Sequence, residues 1–114
     1  MADTVFDRIL RKELPARVVY EDGEVFAFHD VKPQAPVHVL VIPKRRVSTF
    51  HELQGQPEQE VGRFFQGVAK VADVLGLVPG GYRVVLNCGR DAQQSVDYLH
   101  AHILGGRRMR WPPG

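Results

Sequence analysis

The sequence is poor in cysteine. Of its 114 residues only Cys88 carries a thiol, which excludes an internal disulfide and any four-cysteine zinc site. A chain so built suits a reducing compartment, and a cytoplasmic location is expected. Long apolar runs are also missing. None approaches the roughly 18 residues of a membrane helix, and the opening "MADTVFDRILRKELP" mixes charge with apolar residues, unlike a signal peptide. Neither sign of charge dominates. A formal net charge of +2 gives no argument for a nucleic-acid partner. No internal repeat or low-complexity linker divides the chain, and its length suits one domain over residues 1–114.

What is present is ordinary in bulk, with 44% hydrophobic and 25% charged residues. Its patterning is informative. Residues 4–14 predict a helix, opened by the Thr4/Asp7 capping pattern and stopped at Pro15. "ARVVYE" and "EVFAFHD" predict a hairpin about Asp22-Gly23. "VHVLVIP" reads as a strand with His38, Leu40 and Ile42 on one side and the valines on the other. "KRRVSTFHEL" reads as a connection with a short helical turn. Residues 58–75 carry the strongest helical stripe, Val61, Phe64, Phe65, Val68, Val71, Ala72 and Leu75, despite Gly62 and Gly67. "GYRVVLN" and "YLHAHIL" predict two more strands. The sum is an α+β fold with a largely antiparallel sheet.

The chemistry concentrates in "DYLHAHILGGR". In a strand Tyr98, His100 and His102 share one face, at a spacing of roughly 6–7 Å between alternate residues. Two imidazoles and a phenol make that face too polar for a plain core. Two partly exposed histidines is one reading. A zinc site with His38 as third ligand is another, although no nearby metal-binding pattern supports it. The third is a nucleophilic histidine acting on phosphate. Cys88 reads as an inert thiol and His51 as a surface residue. Lys44-Arg45-Arg46 and Arg107-Arg108-Arg110 read as solvated basic clusters, or as attractors of anions.

The chain resembles the histidine-triad (HIT) family, and within it the histidine-triad nucleotide-binding (Hint) branch. The family motif His-φ-His-φ-His-φ-φ, with φ apolar, aligns with Tyr98-Leu99-His100-Ala101-His102-Ile103-Leu104. "FHDVKPQAPVHVLVIPKRRVS", "LGLVPGGYRVVLNCG", "QSV", "LGGR" and "WPPG" also resemble the branch, in the same order. The first triad histidine is Tyr98 here. The resemblance implies a five-stranded antiparallel sheet with two main helices, pairing into a ten-stranded sheet in a homodimer. It implies a purine nucleotide ligand and hydrolysis of purine nucleoside 5′-phosphoramidates through a nucleotidyl-histidine intermediate, with no metal or other cofactor. The alternatives are a weakly active or inactive AMP-binding module and a dinucleoside polyphosphate hydrolase.

Residue by residue, the resemblance makes His100 the nucleophile and His102 a phosphate contact. Ser95 falls beside the phosphate and leaving group, and His38 in the polar network of the triad. Asp30 would accept from the ribose hydroxyls. Asn87, Gln93 and Gln94 fall on nucleotide-contacting loops, with Gln93 where the family usually has glycine. Val5, Phe6, Ile9, Phe28, His29, Val31 and Leu40 would line the slot for the base. Trp111 and the tail would approach a partner subunit's site.

Overall fold

In the computed structural model, which describes residues 2–114, the lead-in to the sheet begins with a short helix, α1 (Val5–Leu10). Thr4 caps it: the Thr4 hydroxyl accepts from the Asp7 amide, and the Asp7 carboxylate accepts from the Thr4 amide at 2.7 Å. That reciprocal pair satisfies two of the donors that a helix start leaves open. The helix ends earlier than its apolar spacing predicts. Arg11 closes it, and Lys12 turns the chain away in the left-handed region at φ 62°.

Five strands follow: β1 (Val18–Glu21), β2 (Val25–His29), β3 (Val37–Pro43), β4 (Tyr82–Val85) and β5 (Ala101–Gly105). Their spatial order is β1-β2-β3-β5-β4, and every neighbouring pair is antiparallel. The β1–β2 turn is set by Asp22, whose carboxylate accepts from the amides of Glu24 and Val25 at 2.7 and 2.9 Å. This is the side-chain turn chemistry expected of an Asp-Gly hairpin. A 3-10 turn (Phe50–Gly55) leads into the long helix α2 (Glu58–Val74).

The two sheet faces have different cores. On one, α2 packs Phe64, Val68, Val71 and Ala72 against Val25, Ala27, Val39, Val41, Ala101 and Ile103. Gly67 sits where α2 comes closest to β2. A Cβ there would lie 2.7 Å from Val25 Cγ1, so the glycine is a packing requirement. On the other face α1 delivers Phe6 and Ile9 against Phe26, Phe28, Leu40, Ile42 and Tyr98. His38 and His102 share this second face, as strand alternation from Leu40 and Leu104 demands. No helix among the described residues is long and apolar enough to cross a membrane.

Candidate active site

The strand expected over 98–104 begins only at Ala101. Tyr98 and His100 precede it in an irregular segment stitched to residues 43–48. The Leu99 amide donates to the Val47 carbonyl at 2.6 Å. The Tyr98 hydroxyl donates to the Pro43 carbonyl. Arg46 donates to the Asp97 carbonyl at 3.0 Å, and also to the Ala2 carbonyl at 2.7 Å and the Asp7 carboxylate at 3.1 Å. Its guanidinium lies 5.8 Å from the Tyr98 ring centre. Tyr98 is fully buried, in edge-on contact with Phe6, and burial raises its phenol's pKa, so the hydroxyl remains a donor.

This stitching fixes the Tyr98 carbonyl, and that carbonyl fixes His100. The His100 Nδ1 lies 2.7 Å from it. A carbonyl only accepts, so Nδ1 carries a proton, and the neutral ring presents the lone pair of Nε2. The substitution of tyrosine for histidine leaves this main-chain contact intact.

His38 and His102 are assigned by a second backbone anchor. The Gln34 amide donates to His38 Nδ1 at 3.0 Å. His38 therefore holds its proton on Nε2, which lies 2.9 Å from His102 Nδ1. His102 Nδ1 accepts, so its own proton is on Nε2. That Nε2–H is buried without a partner among the described residues. Burial, with the neighbouring His100 and His38 adding to it, lowers the His102 pKa to about 4. Burial lowers that of His38 too, against the opposing effect of Asp30. The result is two adjacent imidazoles, ring centres 5.0 Å apart, of opposite character. One presents a lone pair and the other an N–H.

Asp30, His38 and His102 also place potential ligand atoms within 4.8 Å of one another. The Gln34 bond argues against a cation there. It keeps the proton on His38 Nε2, the atom facing Asp30 at 3.3 Å and His102, and a protonated nitrogen has no lone pair to donate. The cluster is built as a hydrogen-bond relay.

Beside the imidazoles lies a groove of about 660 Å³. Val5, Phe6, Ile9, Phe28, His29, Val31 and Leu40 line it, with Asp30, Ser95, His100 and His102. Leu14, Pro15, Ala16, Arg17, Pro33 and Val96 complete its walls. Arg17 escaped the sequence reading, since nothing in its spacing marks it. The other expected residues lie off the groove. His38 stands behind His102 in the relay. Asn87 follows β4, half-buried. Gln93 is exposed at φ 59°, a conformation that favours glycine. Gln94 clamps its loop, donating to the carbonyls of Ser48 and Val96 at 2.8 and 3.0 Å and accepting from the Gly89 amide at 3.1 Å. Cys88 and His51 are exposed.

A family model described as "HIT domain" matches residues 11–109. A HIT-like protein of Synechococcus elongatus, itself uncharacterized, is 46% identical over 98% of this chain and 97% of its own. The crystal structure of a HIT family hydrolase from Legionella pneumophila superposes with a TM-score of 0.92 at 39% identity, covering 98% of this chain and all of that one. A HIT family hydrolase from Clostridium thermocellum gives 0.84 at 40% identity, over 96% of each chain.

Proposed function

Since the chain belongs to the HIT domain family and has the fold of its hydrolases, we propose that it hydrolyses purine nucleoside 5′-phosphoramidates, with His100 as the nucleophile. The observation that carries this reading is the paired tautomers. A lone pair and a hydrogen-bond donor converge on one groove, as phosphoryl transfer to histidine requires.

In the proposed reaction the base enters the apolar slot between Phe6, Ile9, Phe28 and Leu40, where an aromatic-lined cleft suits a flat ring. Asp30 accepts from the ribose hydroxyls. Its Oδ1 already takes the Lys32 amide at 2.8 Å, which holds the carboxylate at the groove wall. His100 Nε2 attacks the α-phosphorus and forms an N–P bond as the P–N bond to the amine breaks. The His102 Nε2–H donates to a phosphoryl oxygen. Ser95, on the groove rim, stands beside the leaving amine, whose nitrogen takes a proton from solvent water in the open groove as the P–N bond breaks. Water then cleaves the nucleotidyl-histidine, giving the nucleoside monophosphate and free His100. Catalysis here uses the chain's own donors and no metal. The active form is proposed to be a homodimer in a reducing, cytoplasmic setting.

The test is turnover of an adenosine phosphoramidate by the purified protein and by His100→Ala. The variant should bind AMP and lose turnover by many orders of magnitude, since it lacks the group that forms the intermediate. Near-normal turnover in His100→Ala would refute the assignment. AMP binding with no turnover in the natural protein would make it a binding module instead.

A further inference from the structure

Tyr98 and Leu99 are neighbours in the chain and belong to different cores. Tyr98 packs beneath the slot, and Leu99 packs under α2 with Val47 and Phe64. One peptide joins them. Its carbonyl, on Tyr98, orients His100, and its amide, on Leu99, donates to the Val47 carbonyl at 2.6 Å. A peptide unit is planar and stiff, so its two ends turn together. Whatever moves Val47 on the α2 side therefore moves the carbonyl that aims His100.

Val47 is a wall of a hollow on that side. The hollow holds about 130 Å³ and lies between α2, the 3-10 turn, the β1–β2 turn and the end of β3. Its body is apolar, formed by Pro43, Val47, Leu53, Val61, Phe64 and Leu99. Core atoms that face an empty hollow forfeit dispersion contacts, which a ligand would supply. Its mouth is charged. Glu24 and Glu60 set two carboxylates there against one guanidinium, that of Arg45. Arg45 pairs with Glu60 through a side chain that is 80% exposed, and so exposed a pair holds weakly. Glu24 has only Arg63, at 3.7 Å, which is beyond hydrogen-bond length.

Size decides which wall yields. A benzene ring occupies an apolar cavity of about 150 Å³, so a ring enters this smaller hollow by pressing its walls apart. Phe64 is held in α2, and Pro43 ends β3. Val47 belongs to the connection after β3, outside any helix or strand. It is the wall with least to hold it, apart from its bond to Leu99. We infer that the hollow binds a small hydrophobic ammonium, such as a protonated benzylamine, and that its occupancy slows the nucleophile through the Val47–Leu99 clasp. The hydrocarbon fills the apolar body, and the ammonium takes the carboxylates at the mouth. The effect on rate rests on the phosphoramidase reading above, in which an amine is the second product. The binding does not rest on it.

Benzylamine, benzyl alcohol and benzoate carry one ring with a positive, a neutral and a negative head. At low salt, calorimetry should show benzylamine, protonated at neutral pH, bound about three- to tenfold more tightly than benzyl alcohol. Benzoate should bind more weakly than either. Glu24→Gln/Glu60→Gln should erase the margin between benzylamine and the alcohol. Val61→Phe should fill the hollow and abolish binding of both, with its urea midpoint reporting a folded chain. At saturating benzylamine and nucleotide, single-turnover nucleotidylation should slow by about threefold or more, while the half-saturating nucleotide concentration stays within about twofold. Val61→Phe should not respond. Equal affinity for the three probes, or a margin that survives the glutamate changes, overturns the site. A raised half-saturating nucleotide concentration places the amine in the groove and overturns it as well. Unchanged nucleotidylation with the hollow filled overturns the coupling. Absence of turnover without any added amine overturns the phosphoramidase reading instead, and calorimetry still decides the hollow.

Discussion

Replacing Tyr98 with phenylalanine separates two roles that the residue combines. The ring fills the core beneath the site, and the main-chain carbonyl orients His100. Tyr98→Phe keeps both and deletes only the hydroxyl, which donates to the carbonyl of buried Pro43. A buried acceptor stripped of its donor costs about 1–3 kcal/mol. Against a total stability of about 5–15 kcal/mol, that is a readily measured shift of the urea midpoint. The rate should respond far less. The segment carrying the carbonyl has two other fastenings, Leu99 to Val47 and Arg46 to Asp97. We expect single-turnover nucleotidylation, followed by acid quench, to fall by less than about tenfold, or 1.4 kcal/mol of barrier. A loss above about a hundredfold in folded protein would show that the hydroxyl, not the carbonyl, sets the nucleophile. An unchanged urea midpoint would show that the bond to Pro43 contributes nothing. Tyr98→His should likewise alter the rate by about tenfold or less. It should destabilise more than phenylalanine does, because it puts a smaller, polar ring among Phe6, Phe28 and Ile42.

Acid should destabilise the fold through His102. Its pKa is lowered from 6.5 to about 4, so the unfolded chain takes up a proton that the native site refuses. The stability is full above the unfolded value and is lost as pH falls from about 6.5 towards 4, by at most about 1.4 kcal/mol per pH unit. Urea unfolding at pH 7, 6 and 5 measures the slope, and His102→Gln should reduce it. Gly62→Ala should stabilise α2 by about 0.5–1 kcal/mol, since nothing lies within 4 Å of the added methyl group. Gly67→Ala should destabilise the protein, by about 1–3 kcal/mol of overpacking less that gain, because its Cβ would meet Val25; equal midpoints for the two variants would contradict the packing described. Light scattering at micromolar concentration should report a homodimer. Deleting residues 111–114 should change leaving-group preference, since the tail presents an exposed Trp111, whose ring centre lies 5.9 Å from the Arg83 guanidinium.

Periodic features were legible in the sequence. The stripe from Phe64 to Ala72, the Asp22-Gly23 turn and the alternation of His38, Leu40 and Ile42 all depend on neighbours close in the chain. The N-terminal helix was read too long because its termination rests on the backbone of Lys12, and lysine carries no signal for a positive φ. Slot residues such as Phe6 and Leu40 were expected only from the family resemblance. The tautomers of His38 and His102 were not, because they are set by the Gln34 main-chain amide, whose partner only tertiary structure reveals. Arg17 escaped for the same reason, and Arg46, expected in a solvated basic cluster, is instead half-buried and bonded to Ala2, Asp7 and Asp97. Their roles depend on where α1 lands, not on any spacing near them.

Arg46 has a mechanical consequence. Through one guanidinium it grips the start of α1, at Ala2 and Asp7, and the carbonyl of Asp97, one residue before the peptide that aims His100. The wall of the slot and the mount of the nucleophile are thus bolted to a single planar bracket. A ligand too wide for the slot cannot push α1 outward without pulling on that bracket, and the pull arrives at the imidazole. Fit at the base end and aim at the phosphate end become one quantity. A misfit is then expressed as a badly aimed nucleophile before any bond is broken.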